Sequence, residues 1–284
     1  MKLKSIAVTV FIAIVAIIGI VNIFGGNSMD KQYEEALALL EDGKKEEAYE
    51  IFTEIKRHKD SVDLASEIFA ETKLGDLTAA TVGDIIIFGT YEQDNDLNNG
   101  SEPIEWIILD KIEDGQTNRI LVLSKYALDC VIFDDTLTTE DITWQDSYMR
   151  RWLNRTFLPT AFDTVEERLV ESVLLTDKKG NPYDKEDRVF LLSYEEFENY
   201  LFTEPQIRKC EATAYTKAMG AYTSKEDIEQ EYETCYWWLR TVGHNFRSMV
   251  CVSDTGSYGY SGYLVTDEKR AVRPAIWLDL KAFE

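Results

Sequence analysis

The sequence predicts an α+β domain behind a transmembrane helix and a short helical hairpin, on three observations. The chain opens with an uncharged apolar run, Ser5–Phe24. From Asp30 to about Gly75, apolar residues recur at the spacing of a helix face. From Thr81 onward the order is short strands, then helices, then strands, which is the α+β pattern rather than alternating βαβ units. These breaks give three regions: 1–29 as cytoplasmic tip and anchor, 30–80 as helical stalk, and 81–284 as the main domain.

At about 1.5 Å per residue, Ser5–Phe24 is long enough for the ~30 Å hydrocarbon core of a bilayer. Lys2 and Lys4 precede it, and the first charge after it is Asp30. The positive-inside bias therefore keeps the N-terminus in the cytoplasm and sends the domain outside the cell. An uncleaved single-pass anchor is the reading. A cleaved signal peptide is the alternative, because Gly25, Gly26 and Ser28 permit processing. The formal net charge is −22, and since Lys2 and Lys4 are the only charges before Gly25, the rest of the chain carries −24. So acidic a surface repels phosphate backbones, which excludes nucleic acid as a partner.

In the stalk, Tyr33, Ala36, Leu37 and Leu40 share one face before Gly43 breaks the run. Ala48, Ile51, Phe52 and Ile55 form a second stripe, and Asp60 is expected to cap a third helix carrying Val62, Ala65 and Phe69, with Gly75 as its stop. The order Ala36, Gly43, Ala48, Phe52 resembles a tetratricopeptide repeat, of which one copy and part of a second are visible.

In the main domain, strands are expected over 84–88, 104–109 and 120–124. Helices follow over 147–154 and 164–175, the second opened by a capping box of Thr164 and Glu167. A strand over 189–192 leads into another box, Ser193 and Glu196, and a helix over 194–202. Strands over 236–240, 249–253, 262–266 and 275–278 close the pattern.

Several stretches in that order are distinctive. They are Gly83-Asp84-Ile85 through Phe88-Gly89, Pro103-Ile104-Glu105-Trp106, and Trp144-x-x-Ser147-x-x-Arg150-x-Trp152-Leu153-Asn154. Phe190-Leu191-Leu192-Ser193, Trp237-Trp238-Leu239-Arg240-x-x-Gly243 and Val272-Arg273-Pro274-Ala275-Ile276-Trp277 follow. Over roughly Thr81–Leu280 the chain resembles a bacterial domain family named only as a domain of unknown function. That family is similar to the C-type-lectin-like fold, shared by formylglycine-generating enzymes and by variable receptor proteins of diversity-generating retroelements. The resemblance implies a C-type-lectin-like domain, of a kind seen behind membrane anchors in anaerobic Gram-positive bacteria. Physically, the six tryptophans are large enough to fill a core of short elements, and Arg150, Arg240 and Arg273 are placed to stack on them or to fork onto buried acceptors.

Catalytic motifs are scarce. The sequence holds no phosphate-cradling Gly-Lys-Ser/Thr loop, no Gly-x-Ser-x-Gly elbow and no His-Glu-x-x-His. Cys251 with His244 is a conceivable dyad, and Cys235 with Cys251 a conceivable reactive pair. Cys130, Cys210, Cys235 and Cys251 permit three full pairings, and without a CxxC they do not suggest zinc. The loop Asp94-x-Asp96-x-Asn98-Asn99-Gly100-x-Glu102-x-x-Glu105 has oxygen side chains at calcium-loop positions. It lacks the usual glycine, and its flanks read as strands, so a polar surface loop is the preferred reading. No metal, no cofactor and no catalytic residue is assigned.

The expected function is recognition at the cell surface of a protein, peptide or glycan. An enzyme on the formylglycine-generating scaffold and a structural envelope component are the alternatives. The candidate binding residues are Arg240, His244, Asn245, Arg247, Tyr258 and Tyr260, since tyrosine among Gly, Ser and Asn is the composition of adaptable binding surfaces.

Overall fold

The computed structural model describes residues 28–136, 142–224 and 233–283. The Ser5–Phe24 run, expected to be a membrane anchor, lies outside them. Among the described residues no helix is long and apolar enough to cross a membrane. Two compact units are present: one ends at Asp76 and includes Asp96–Ser101, and the other comprises Leu77–Asn95 and the chain from Glu102 onward.

The first unit is built from α1 (Ser28–Glu41), α2 (Lys45–Glu54) and α3 (Ser61–Thr72). Gly43, at a φ of +79°, turns the chain between α1 and α2, a conformation an L side chain resists. Most of the predicted faces are buried, with Leu37, Leu40 and Val62 half-buried. Tyr33 packs on Phe52, with ring centroids 5.7 Å apart, and Tyr49, outside the predicted stripe, packs on Phe69 at 6.1 Å. Two details differ from expectation. Asp60 makes no capping bond to α3, because its carboxylate accepts the Tyr33 hydroxyl at 2.6 Å. Gly75 stops nothing, since a short helix, α4 (Leu74–Ala79), begins before it.

The second unit is mixed α+β with two five-stranded sheets. The strands are β1 (Ile85–Tyr91), β2 (Glu102–Glu113), β3 (Asn118–Ser124), β4 (Asp129–Cys130), β5 (Val189–Phe190), β6 (Trp237–Val242), β7 (Ser248–Val252), β8 (Tyr258–Leu264), β9 (Ala271–Val272) and β10 (Ala275–Asp279). The first sheet runs β1-β2-β3-β10-β5 and the second β4-β9-β6-β7-β8. Neighbours are antiparallel, with Ile85 opposite Ile107 and Ala275 opposite Leu123, except that β6 runs parallel to β9. At Gly89 the β1–β2 ladder slips register and φ is +71°. A Cβ there would lie 2.5 Å from the Ala161 carbonyl oxygen, so only glycine admits this approach.

Between the strands run α5 (Tyr148–Trp152), a π-turn over Leu153–Phe157, α6 (Leu158–Ala161) and α7 (Glu166–Leu169). They are followed by α8 (Tyr194–Leu201), α9 (Pro205–Arg208) and α10 (Ala214–Ala218). The helix expected over 164–175 is only the single turn α7. Its box is Asp163 with Glu166 rather than Thr164 with Glu167: the Asp163 carboxylate accepts the Val165 and Glu166 N–H groups, and Glu166 accepts that of Asp163. After Leu169 the chain extends, because Val170 bridges to Leu278 and Val173 to Asp187. Sheet-edge pairing here overrides helical periodicity.

Trp106, Trp144, Trp237 and Trp238 are fully buried, while Trp152 and Trp277 are only half-buried, so four of the six rings form the core as expected. Buried indole N–H groups need acceptors. Trp106 donates to the Phe88 carbonyl at 2.7 Å and Trp144 to Asp187 at 2.8 Å. Arg150 reaches Asp187 at 2.6 Å, and Arg273 spans the Trp237 ring at 5.0 Å.

Candidate functional site

The hairpins β6–β7–β8 present the candidate surface. β7 is buried along its whole length, whereas β8 forms the outer edge of its sheet and is mostly open. Gly262, at a φ of +73°, lets β8 press on β7: a Cβ there would sit 2.8 Å from the Met249 carbonyl oxygen. Ser248 fixes the turn ahead of β7, with its hydroxyl 2.6 Å from the Asn245 carbonyl and 3.0 Å from that of Ser261. His244 and Asn245 donate their N–H groups to the Tyr260 and Ser261 carbonyls, at 2.8 and 3.2 Å. The turn is thereby tied along β8, with His244, Asn245 and Phe246 exposed.

On this frame a chain of rings assembles. His244 stacks on Tyr260 at 5.4 Å with the planes 26° apart, and Tyr260 meets Tyr258 edge-on at 5.4 Å. Tyr194, the first residue of α8, closes the group at 4.5 Å from Tyr260 and 4.7 Å from Tyr258. The Tyr194 hydroxyl donates to the Tyr258 hydroxyl at 3.1 Å. Burial, then that hydrogen bond, pushes the Tyr194 phenol well above its ordinary value, so it stays a neutral donor. The result is a set of π-faces and hydroxyls in which His244 and Tyr260 are exposed, Tyr260 by 41%. Tyr194 is absent from the sequence-based list. Its signal was the Ser193–Glu196 box, present as predicted, which fixes Tyr194 at the first turn. Its N–H is thereby directed onto the Thr241 hydroxyl of β6, 2.8 Å away.

The structure brings His244, Asn245, Tyr258 and Tyr260 together and leaves two predicted residues out. Arg240 is 3% exposed, paired with both oxygens of Glu196 and bonded to the Leu191 carbonyl at 2.8 Å. It braces β6 against α8 and offers nothing to a ligand on the β8 face. Arg247 turns toward the Thr136 carbonyl and donates to it.

A second aromatic group lies around Tyr263. A cleft of about 600 Å³ is lined by Tyr222, Tyr236, Tyr263, Asp267 and Arg270. The Arg270 guanidinium sits 4.1 Å from the Tyr263 centroid and 4.8 Å from that of Tyr236, and pairs with Asp267 at 3.3 Å. Its alternating Tyr and charged residues are spread over three segments, so no local motif marks them.

The reactive groups considered from sequence are not assembled. Cys251 is buried within β7 while His244 is exposed, so no dyad forms. Cys235 lies across an antiparallel bridge from Cys210, to whose carbonyl it donates its N–H at 2.8 Å, rather than with Cys251. In the acidic loop, Glu105 is drawn into β2 and bonded to Lys125 at 2.8 Å, and the Asp96 carboxylate accepts from Asn98. Carboxylate oxygens of Glu92, Asp94 and Glu102 do approach within 4.8 Å of one another. Glu102 already accepts the N–H groups of Gln93 and Asp94 at 2.7 and 3.2 Å.

The profile of a family described as a domain of unknown function (DUF6273) matches residues 117–280, more than half of the chain and the whole stretch from the start of β3 to β10. No curated protein matches the chain, and neither does any solved structure. The chain belongs to the DUF6273 family, whose domain here carries both sheets' central strands and the β8 face.

Proposed function

We propose that this chain is a cell-surface recognition protein, held by the Ser5–Phe24 anchor with a C-type-lectin-like domain outside the cytoplasm. The observation that carries the reading is the exposed stack of His244 on Tyr260, backed by Tyr258 and Tyr194. Rigid rings gain contact area with little loss of rotamer freedom, and their hydroxyls supply directional bonds. Such a face suits a ligand with flat or ring-shaped apolar patches edged by hydroxyl or amide groups: a glycan, a peptide or a protein surface. The strongly acidic chain, at −22, disfavours polyanions among these.

Two experiments test the reading. Protease added to intact protoplasts is expected to remove the domain, and a protected full-length chain would contradict the topology. The full-length chain in detergent, screened on glycan and peptide arrays, is expected to be retained by defined members. Retention by none of them would contradict recognition of these classes.

A further inference from the structure

Two of the four thiols face each other. Glu211 and Thr234 form an antiparallel bridge, which sets Cys210 opposite Cys235. The ladder is hydrogen-bonded on both sides of it: Cys235 donates its N–H to the Cys210 carbonyl at 2.8 Å, and Ala212 donates to Glu233 at 3.2 Å. Residues opposite one another in an antiparallel pair have Cα atoms about 4.5–5.5 Å apart. That lies inside the roughly 4.4–6.8 Å that a disulfide spans. Both side chains are fully buried, and the Cys210 thiol points at the Glu211 and Lys125 carbonyls, at 3.7 and 4.0 Å.

A buried cation stands beside them. Arg273 is 1% exposed and donates to the carbonyls of Ser124, Ile207 and Lys125 at 2.8, 2.6 and 3.5 Å. Those acceptors are neutral; burial pulls the guanidinium below its ordinary value, and Cys210 and Cys235, when ionised, act against that. A buried charge without a counter-charge is costly, so a thiolate here is favoured. Burial pushes the Cys210 thiol up, but the hydrogen bond from Cys235 and the Arg273 charge outweigh it and bring it down. The hydrogen bond with Cys210, then burial, pushes the Cys235 thiol up.

We propose that Cys210 and Cys235 are a thiol–disulfide pair that forms a covalent cross-strand link between the segment after α9 and the entry to β6. With a small disulfide such as oxidised glutathione as oxidant, the Cys210 thiolate attacks one oxidant sulfur and breaks its S–S bond. One glutathione leaves as thiolate, and a mixed disulfide remains on Cys210. Cys235 then loses its proton, and its sulfur attacks Cys210 Sγ, expelling the second glutathione. Two cysteines are oxidised, one glutathione disulfide is reduced to two glutathiones, and the two cysteine protons end on them. Because both sulfurs are buried, exchange takes place while this ladder is open, and the closed ladder protects the product. The link would also pin the cleft, since Thr223 bridges to Cys235, and Tyr222 and Tyr236 adjoin those two residues. The inference does not depend on what the β8 face binds or on which side of a membrane it lies.

The test is to unfold the full-length chain, refold it in detergent with reduced and oxidised glutathione, alkylate it in denaturant and map its peptides without reduction. The expected result is a linked Cys210–Cys235 peptide, two hydrogens lighter than its parts, with Cys130 and Cys251 alkylated. Reduction of the linked, folded chain is expected to lower its melting temperature by roughly 6–12 °C. The Cys210→Ser/Cys235→Ser double variant should show no such response to reductant. Alkylation of all four cysteines after refolding to the native circular-dichroism spectrum would overturn the proposal, as would a link that uses Cys130 or Cys251.

Discussion

Arg240 of β6 and Glu196 of α8 close a two-pronged ion pair. Arg240 Nη2 lies 2.7 Å from Glu196 Oε1, and its Nη1 is shared between Oε2 and the Leu191 carbonyl. The same carboxylate accepts the Ser193 N–H at 2.8 Å and so completes the capping box of α8. One side chain thus both starts the helix and neutralises the cation beneath it. Removing one partner of a buried pair leaves the other charge uncompensated, at a cost of about 3–5 kcal/mol.

Glu196→Ala is therefore expected to destabilise the domain by about 3 kcal/mol, the lower end of that range because Glu196 keeps 27% exposure and water relieves part of the loss. Arg240→Met leaves only this partly hydrated carboxylate behind and is expected to cost less. Urea unfolding of the two variants checks the order, and equal costs would contradict the assignment of Arg240 as the dependent charge.

Trp237 and Trp277 are expected to behave differently. Trp237 is fully buried, and its indole N–H donates to the Arg208 carbonyl at 3.1 Å, so Trp237→Ala should cost about 3–5 kcal/mol. Trp277 is half-buried, with the Arg119 guanidinium 4.5 Å above its ring. Trp277→Ala is expected to cost about half as much, since roughly half of the transfer term is absent. Thermal melts of the two variants decide this, and an unfolded Trp277→Ala would place that ring in the core after all.

Cys130 is half-exposed yet should react slowly. Burial, then the neighbouring Asp129 charge, pushes its thiol up to about 12, and it donates to the Glu268 carbonyl at 3.1 Å. At pH 8 its thiolate is roughly a thousandfold scarcer than that of a free thiol, while its intrinsic nucleophilicity rises by roughly twentyfold. Alkylation is therefore expected to run about fiftyfold slower than for a free thiol and to keep accelerating through pH 10. A rate that levels off near pH 9 would contradict the buried environment.

Much of the fold was legible because strand and helix periods are local properties. The β6, β7 and β10 strands lie within two residues of expectation, and the Ser193–Glu196 box is formed as read. The 164–175 helix failed because Val170 and Val173 found strand partners distant in sequence, which no window reveals. The site was half legible for the same reason. Tyr258 and Tyr260 belong to one strand, β8, and His244 to the turn beside it, and composition alone brought them forward. Tyr194 joins them from a separate helix, and Arg240 leaves them because Glu196 lies across from it. Both facts are tertiary: the sequence suggested that Arg240 could fork onto buried acceptors, but not that Glu196 would be the acceptor.

The most direct test of the recognition face is the binding of one array-selected glycan or peptide to the full-length chain and to its Tyr260→Ala and His244→Ala variants. Both residues are exposed, and their backbone groups, which hold the turn, are unchanged by the substitutions. The account predicts melting temperatures within a degree or two of the parent and affinity at least tenfold weaker, about 1.4 kcal/mol, in each variant. Parent affinity retained by both variants at unchanged stability would contradict it.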